Sequence, residues 1–290
     1  MTDYTQIIVT KADGIATITL NRPEKMNAYT RTMGAEIMAA MDDIDADDGC
    51  RAVIFTGSGE RAFCAGADLT PDDGGQVFAS GEQVESLSDP RVRDGGGLLT
   101  LRLFESKKPL ISACNGVAVG VGATMQLAMD IRLASDTARY GFVFARRGIV
   151  PEAASSWFLP RIVGISQALE WCYSGRVFDA AEAKAGGLVR SVHAPGELLS
   201  AAEALAREIA DNTSAISVAM TRAMMWRLMS ADHPMEAHKI DSRAIYRLSR
   251  GKDAAEGIAS FLEKRSPRYP GKVSADMPDF YPWWDERPYE

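Results

Sequence analysis

The sequence predicts a mixed α/β fold, and three observations carry that expectation. Short apolar runs of strand length, at residues 52–56, 110–114 and 131–134, alternate with stretches whose apolar residues recur at helical spacing. Glycine-containing turns punctuate these runs, at Asp13-Gly14, Gly57-Ser58-Gly59 and Asn115-Gly116. After residue 195 strand signals stop and helical periodicity runs to residue 265.

In chain order, residues 7–10 and 15–20 alternate in strand fashion about Asp13-Gly14, which predicts a hairpin. Asn21-Arg22-Pro23 ends it. Residues 30–44 then place Met33, Ile37, Met41 and Ile44 on one helical face, a core face. The strand at 52–56 follows, and the β-β-α-β order recurs with a helix at 98–105, a strand at 110–114, a helix at 122–129 and a strand at 131–134. Residues 70–97 are polar, glycine-rich and acidic, and read as a loop beside the site. Helices are expected at 196–210, 216–229, 235–249 and 253–265, the second carrying Met220, Met224, Met225 and Trp226 on a face suited to a subunit interface. The last stretch holds Pro270, Pro278, Pro282 and Pro288 among aromatic residues, so it is no regular helix and its rings are expected to dock on a neighbouring surface. The expected division is 1–195 for the core and active site, 196–267 for a helical oligomerisation region and 268–290 for the tail.

Composition excludes several function classes. The chain has 290 residues, 46% of them hydrophobic, enough for a substantial core. No apolar run is long enough to span a bilayer, and the first residues lack the basic and apolar regions of a signal peptide, so a cytoplasmic protein with no membrane partner is expected. A net charge of −7 disfavours a nucleic-acid partner and leaves any anionic ligand to local Lys and Arg. Cys50, Cys64, Cys114 and Cys172 are scattered, with only His193, His233 and His238 as further ligands, so reduced thiols and no metal site are expected.

The stretch from Ile111 to Asp130 runs from an apolar strand through Gly120 and Gly122 into a helix pattern. Backbone N–H groups leave such a turn without partners, so an anion or a developing oxyanion is favoured there. The bland alternative is a tight joint whose glycines serve packing. A second small-residue bend, RAFCAGADL at residues 61–69, follows the strand at 52–56. Two bends can supply two donors, the requirement for stabilising a thioester enolate.

At these residues the chain resembles the enoyl-CoA hydratase/isomerase, or crotonase, superfamily. The segments that carry the likeness are NRPEKMNAY (from Asn21), FCAGADL (from Phe63), NGVAVGVGATMQLAMD (from Asn115) and GGLV (from Gly186), in the family's order. The resemblance implies a crotonase-like spiral of repeated ββα units with a C-terminal helical oligomerisation region, assembled as a homotrimer or a dimer of trimers. It implies an acyl-CoA thioester substrate and no separate cofactor, since CoA belongs to the substrate. By resemblance the backbone N–H groups of Ala67 and Val121 are the oxyanion donors, Val121 standing where the family usually has glycine. Met26 and Ala28 lie in the segment lining the CoA cleft, the Ala65 carbonyl matches the adenine contact, and Ala67 and Asp68 continue that CoA-binding segment. Lys264 resembles a basic residue that reaches a neighbouring subunit's CoA phosphate; equally, it is a solvated lysine ending a helix.

Hydratases of the family carry two glutamates at positions held here by Thr124 and Phe144. Neither a hydroxyl nor a phenyl ring exchanges protons near neutral pH, so two-glutamate hydration is doubtful. Glu152, after Pro151, matches the single acid of one branch of enoyl-CoA delta isomerases and the distal acid of dienoyl-CoA isomerases. Its plain alternative is an acid in the first turn of a helix. Phe142, Phe144 and Trp157 are expected to wall it; burial there would raise its pKa and a helix start would lower it. Three functions stay open: an isomerase using Glu152, hydration or thioester hydrolysis using an acid of the 70–97 loop or its edge (Asp68 or Asp72, each otherwise a turn or helix cap), and a non-catalytic acyl-CoA-binding protein.

Overall fold

Asp13 and Gly14 both take left-handed backbone conformations, φ 49° and 79°, and turn β1 (Ile7–Ala12) back onto β2 (Ile15–Leu20) with Ile7 opposite Leu20. The computed structural model describes residues 4–70 and 84–289. Thr30 caps α1 (Arg31–Ala46) by accepting from the Met33 N–H, and the expected apolar face is buried. β3 (Ala52–Gly57), β4 (Ala62–Cys64) and α2 (Gly95–Phe104) follow. Helix α2 begins three residues before the helical spacing does, because Asp94 caps it and its first three residues are glycines with no apolar signal. Then come β5 (Leu110–Cys114), β6 (Val117–Val119), α3 (Val121–Thr124), β7 (Ile131–Ser135) and β8 (Arg139–Gly141). The chain continues through α4 (Ser155–Val163), α5 (Ile165–Ser174), β9 (Val177–Asp179), α6 (Ala180–Ala185) and β10 (Ser191–His193). It closes with α7 (Leu198–Asn212), α8 (Ala215–Leu228), α9 (Pro234–Leu248) and α10 (Lys252–Glu263).

Two sheets organise these elements. The first has the order β1-β2-β3-β5-β7-β10 and is parallel beyond the hairpin; the second has the order β4-β6-β8-β9. From β3 to β8 each turn of the chain lays one strand in the first sheet and the next in the second, then a helix, which is the ββα spiral; β9 and β10 then close the second and first sheets in turn. The second sheet lies beyond the reach of periodicity, since its described strands are three residues each. Strand β3 shows why residues 52–56 read as continuously apolar: Val53 and Phe55 enter the main core, while Ala52 and Ile54 meet Leu198, Ala202 and Ala206 of α7 on the other face. Helix α7 therefore shares the sheet's core, and residue 195 is no gap in packing.

Helix α8 docks mainly inward. Its buried Arg222 donates to Asp130 at 2.9 Å and to the Phe104 and Ser106 carbonyls, and Trp226 donates to Asp130 at 2.6 Å. Met220 is buried and Met224 packs on the same small cluster, so these two methionines serve the chain's own core, while Met225 lies strongly exposed. Exposed apolar side chains gather instead on α9 and α10, with Ile245, Ile258, Phe261 and Leu262 all at least 64% exposed. The tail docks on its own chain: Met277, Phe280, Tyr281 and Trp283 pack against Ile216, Met220 and Ala244, and the Arg227 guanidinium sits 3.4 Å over the Trp284 ring. Among the described residues no helix is long and apolar enough to cross a membrane, and no cluster of three or more His, Cys, Asp or Glu could hold a metal ion.

Candidate active site

Strands β4 and β6 lie side by side, Ala62 opposite Val117 and Cys64 opposite Ala118, and both end in a glycine turn. Gly66 has φ 103° and Gly120 φ 55°, conformations open mainly to glycine. The turns abut so closely that a Cβ on Gly122 would fall 2.0 Å from the Cys64 carbonyl oxygen. Tyr29 pairs in parallel with Ala67: its N–H donates to Gly66 O at 2.8 Å and its carbonyl accepts from Asp68 N–H at 2.8 Å. In parallel pairing the bonds go to the flanking residues, so the N–H of Ala67 faces the other way and meets no acceptor among the described residues. The Val121 N–H, first in α3, also meets none, while Ala123 and Thr124 donate to Gly120 O at 2.9 Å. Two N–H groups without a partner among the described residues thus stand at the ends of adjacent strands. The helix expected over 122–129 is only four residues long before a 3₁₀ turn at Met125–Ala128, so the donors act as individual N–H groups with little macrodipole behind them. The Val121 side chain is buried in the core.

Glu152 precedes α4 by three residues, which removes the helix-start alternative. Ala153 and Ala154 intervene with φ 59° and 52°, left-handed conformations that cost alanine about 1–2 kcal/mol each. Neighbours hold this turn: Ala153 N–H donates to Asp94 Oδ1 at 3.2 Å, Thr100 Oγ1 donates to Ala153 O at 3.0 Å, and Ser155 Oγ donates to Glu152 O at 2.6 Å. The Glu152 carboxyl accepts from Thr124 Oγ1 at 2.5 Å, and the Asp94 carboxyl, bound to the N–H of the next residue, stands close enough to act on its charge. A Cβ on Gly96 would fall 2.0 Å from Glu152 Oε2, so the glycine makes the room the acid occupies. Burial first, then the Asp94 charge, push the Glu152 pKa up to about 7 against the opposing pull of the Thr124 hydroxyl.

Tyr29 joins the acid to the oxyanion bend. Its backbone pairs with residues 66–68 and its hydroxyl donates to Gly95 O at 3.0 Å, beside the Asp94 cap. Burial and the nearby Glu152 and Asp94 carboxyls raise its phenol well above the ordinary value. The aromatic wall divides: Phe142 stacks with Trp171 and Phe178, whereas Trp157 packs with Phe104, Phe158 and Trp226, and Phe144 is buried in the core. Sequence reasoning missed Asp94 and Tyr29. Asp94 is an aspartate that caps α2, but three glycines separate it from the apolar helical spacing and hide that signal in the sequence.

The CoA candidates fall into two places. Met26 is left-handed at φ 53° and its carbonyl accepts from Ala65 N–H at 3.1 Å. Arg22 donates to Ala28 O at 2.6 Å and to Asp68 Oδ2 at 2.8 Å, so one guanidinium joins Ala28 and Asp68, while Met26 meets Ala65 and Tyr29 meets Ala67 along the same two segments. Fully buried Asn27 bonds the Arg22 N–H, Ser58 O and Ala62 O and fixes that segment. The hydroxyl of Thr70 and then Arg22 hold the Asp68 pKa down to about 2, which makes it a clasp and not a proton carrier near neutral pH. Asp72 and the 71–83 part of the loop lie outside the described residues. Lys264 stands apart, exposed and left-handed at φ 54°, closing α10.

Comparison with known proteins bears on this geometry. Residues 10–272 match the family model described as enoyl-CoA hydratase/isomerase. The chain is 41% identical over 259 residues to the enoyl-CoA hydratase AFT3-1 of Alternaria alternata, covering 89% of this chain and 83% of that one. It is 33% identical to the 1,2-epoxyphenylacetyl-CoA isomerase of Escherichia coli K12, covering 89% of this chain and 96% of the relative. The crystal structure of an enoyl-CoA hydratase from Bacillus anthracis superposes with a TM-score of 0.83 at 31% identity, covering 92% of this chain and 100% of the other.

Proposed function

The chain belongs to the enoyl-CoA hydratase/isomerase family, and from that premise we propose that it moves the double bond of an enoyl-CoA, with Glu152 as the proton carrier. The observation that carries the reading is that Glu152, its pKa raised to about 7, is held by the Thr124 hydroxyl three residues after Val121, while Thr124 and Phe144 hold the two hydratase positions. The Glu152 carboxylate takes the α-proton of a β,γ-unsaturated thioester. The electron pair moves onto the thioester oxygen, which the Ala67 and Val121 N–H groups stabilise as an enolate. Glu152, now protonated, returns the proton to the γ-carbon, leaving an α,β double bond. Met26, Ala28 and Ala65 line the CoA cleft, with Arg22 holding Ala28 and Asp68 in place. The apolar side chains exposed on α10 beside Lys264 support a trimer or a dimer of trimers in which Lys264 reaches a neighbour's CoA phosphate. A monomer in sedimentation at micromolar concentration would remove that part of the reading.

Hydration is the second reading. It is favoured by the Asp94 carboxyl beside Glu152, a second acid, and by relatives named as hydratases. Separate incubations with β,γ-unsaturated, α,β-unsaturated and saturated acyl-CoA decide. The proposal expects the β,γ substrate to become the conjugated thioester with no hydroxyacyl product. Hydroxyacyl-CoA from the α,β substrate selects hydration, free CoA selects hydrolysis, and binding without turnover of any of the three selects a non-catalytic role.

A further inference from the structure

An ionised carboxylate can only accept hydrogen bonds, so two carboxyl groups bonded to each other hold a proton between them. Asp94 Oδ1 accepts the N–H of Ala153, the residue after Glu152, at 3.2 Å, which brings the two carboxyl groups close, and the Asp94 carboxyl raises the Glu152 pKa. Asp94 Oδ1 also accepts the N–H of Gly97 at 2.5 Å, and the two donors together suit Asp94 to the acceptor side and Glu152 to the donor side. Asp94 is exposed, while Glu152 is largely buried. Thr124 touches both Gly120 O, at 3.3 Å, and Glu152 Oε1, at 2.5 Å, which sets the acid within one helical turn of the Val121 N–H.

We propose that Asp94 is a positioning residue for Glu152: its carboxylate accepts a hydrogen bond from the protonated Glu152 carboxyl and, through the Ala153 N–H, holds the left-handed turn that presents Glu152 to the oxyanion turns. The pairing makes Glu152 a stronger base than an isolated glutamate, as removal of a weakly acidic α-proton requires. Other titratable groups face Glu152 from neighbouring elements. Tyr29 precedes α1 and Cys64 ends β4, but burial holds both protonated near neutrality, the thiol being pushed up to about 12. Asp94 is therefore the neighbour whose charge Glu152 meets among the described residues.

The inference rests on Glu152 as proton carrier, so its test has a readout that needs no turnover. Protein labelled with ¹³C-glutamate is titrated by NMR, and the Glu152 carboxyl signal is identified by its loss in Glu152→Gln. Asp94→Asn and Asp94→Ser remove the charge and retain a residue that caps helices. In both, the Glu152 midpoint should fall by about one pH unit or more, and the acid limb of kcat/KM should move down with it. An unchanged or raised midpoint in the folded variants overturns the pairing. If Glu152→Gln retains the parent's turnover, the proposed function fails instead, and the pairing is still judged by its own midpoint.

Discussion

The Thr124 hydroxyl donates to Glu152 Oε1 at 2.5 Å from the position where the family's hydratases carry a glutamate. A hydroxyl at that position thus serves as hydrogen-bond donor to Glu152. Hydrogen bonds to charged groups contribute about 1.5–3 kcal/mol, so Thr124→Val should lower kcat/KM roughly ten- to hundred-fold. The hydroxyl holds the Glu152 pKa down against burial, so the variant's acid limb should lie above the parent's, near pH 7. An unmoved pH profile would show that the bond does not act on the reacting group.

Glu152→Gln keeps size and hydrogen bonding but cannot accept and return a proton. Double-bond migration should fall by roughly a hundredfold or more while acyl-CoA affinity persists. Equal turnover in variant and parent would reduce Glu152 to a structural carboxyl.

The same substitution makes a stability prediction. The Glu152 pKa rises from 4.5 to about 7 in the fold. A group raised in this way contributes its full stability below its unfolded pKa and loses it as pH rises through the folded one. Glutamine does not titrate, so Glu152→Gln should gain on the parent between pH 4.5 and 7, by on the order of 2–3 kcal/mol in denaturant unfolding. A stability difference independent of pH over that window would contradict the raised pKa.

Val121→Pro deletes one donor N–H at the first position of a helical turn, where the proline ring is sterically tolerated. Turnover should fall far more than CoA affinity; equal losses in both would count against Val121 as an oxyanion donor.

Gly96→Ala should separate fold from function. The new methyl would fall 2.0 Å from Glu152 Oε2, and the flexible carboxyl can swing away at small cost while losing its place. We expect a melting temperature within a few degrees of the parent's and a loss of activity approaching that of Glu152→Gln. Full activity would mean that the carboxyl works from elsewhere.

Local sequence determined a good part of this molecule. Asp13-Gly14 specified the hairpin because both residues tolerate positive φ. The apolar face of α1, the continuously apolar β3 and the C-terminal helices were legible because each spans enough residues for its period to repeat. The two glycine bends were legible as turns because glycine readily takes the positive φ that Gly66 and Gly120 adopt. Tertiary structure decided the rest. Strands of three residues carry no period, so the sheet that brings Gly66 beside Gly120 appears only when β4 and β6 pair. Whether the α8 methionines were core or interface depended on what packed against them, which helical spacing does not encode. Glu152 could be read as an acid near a helix, but its pKa near 7 arises from burial and from Asp94, which lies 58 residues earlier in the chain and meets it only in the folded state.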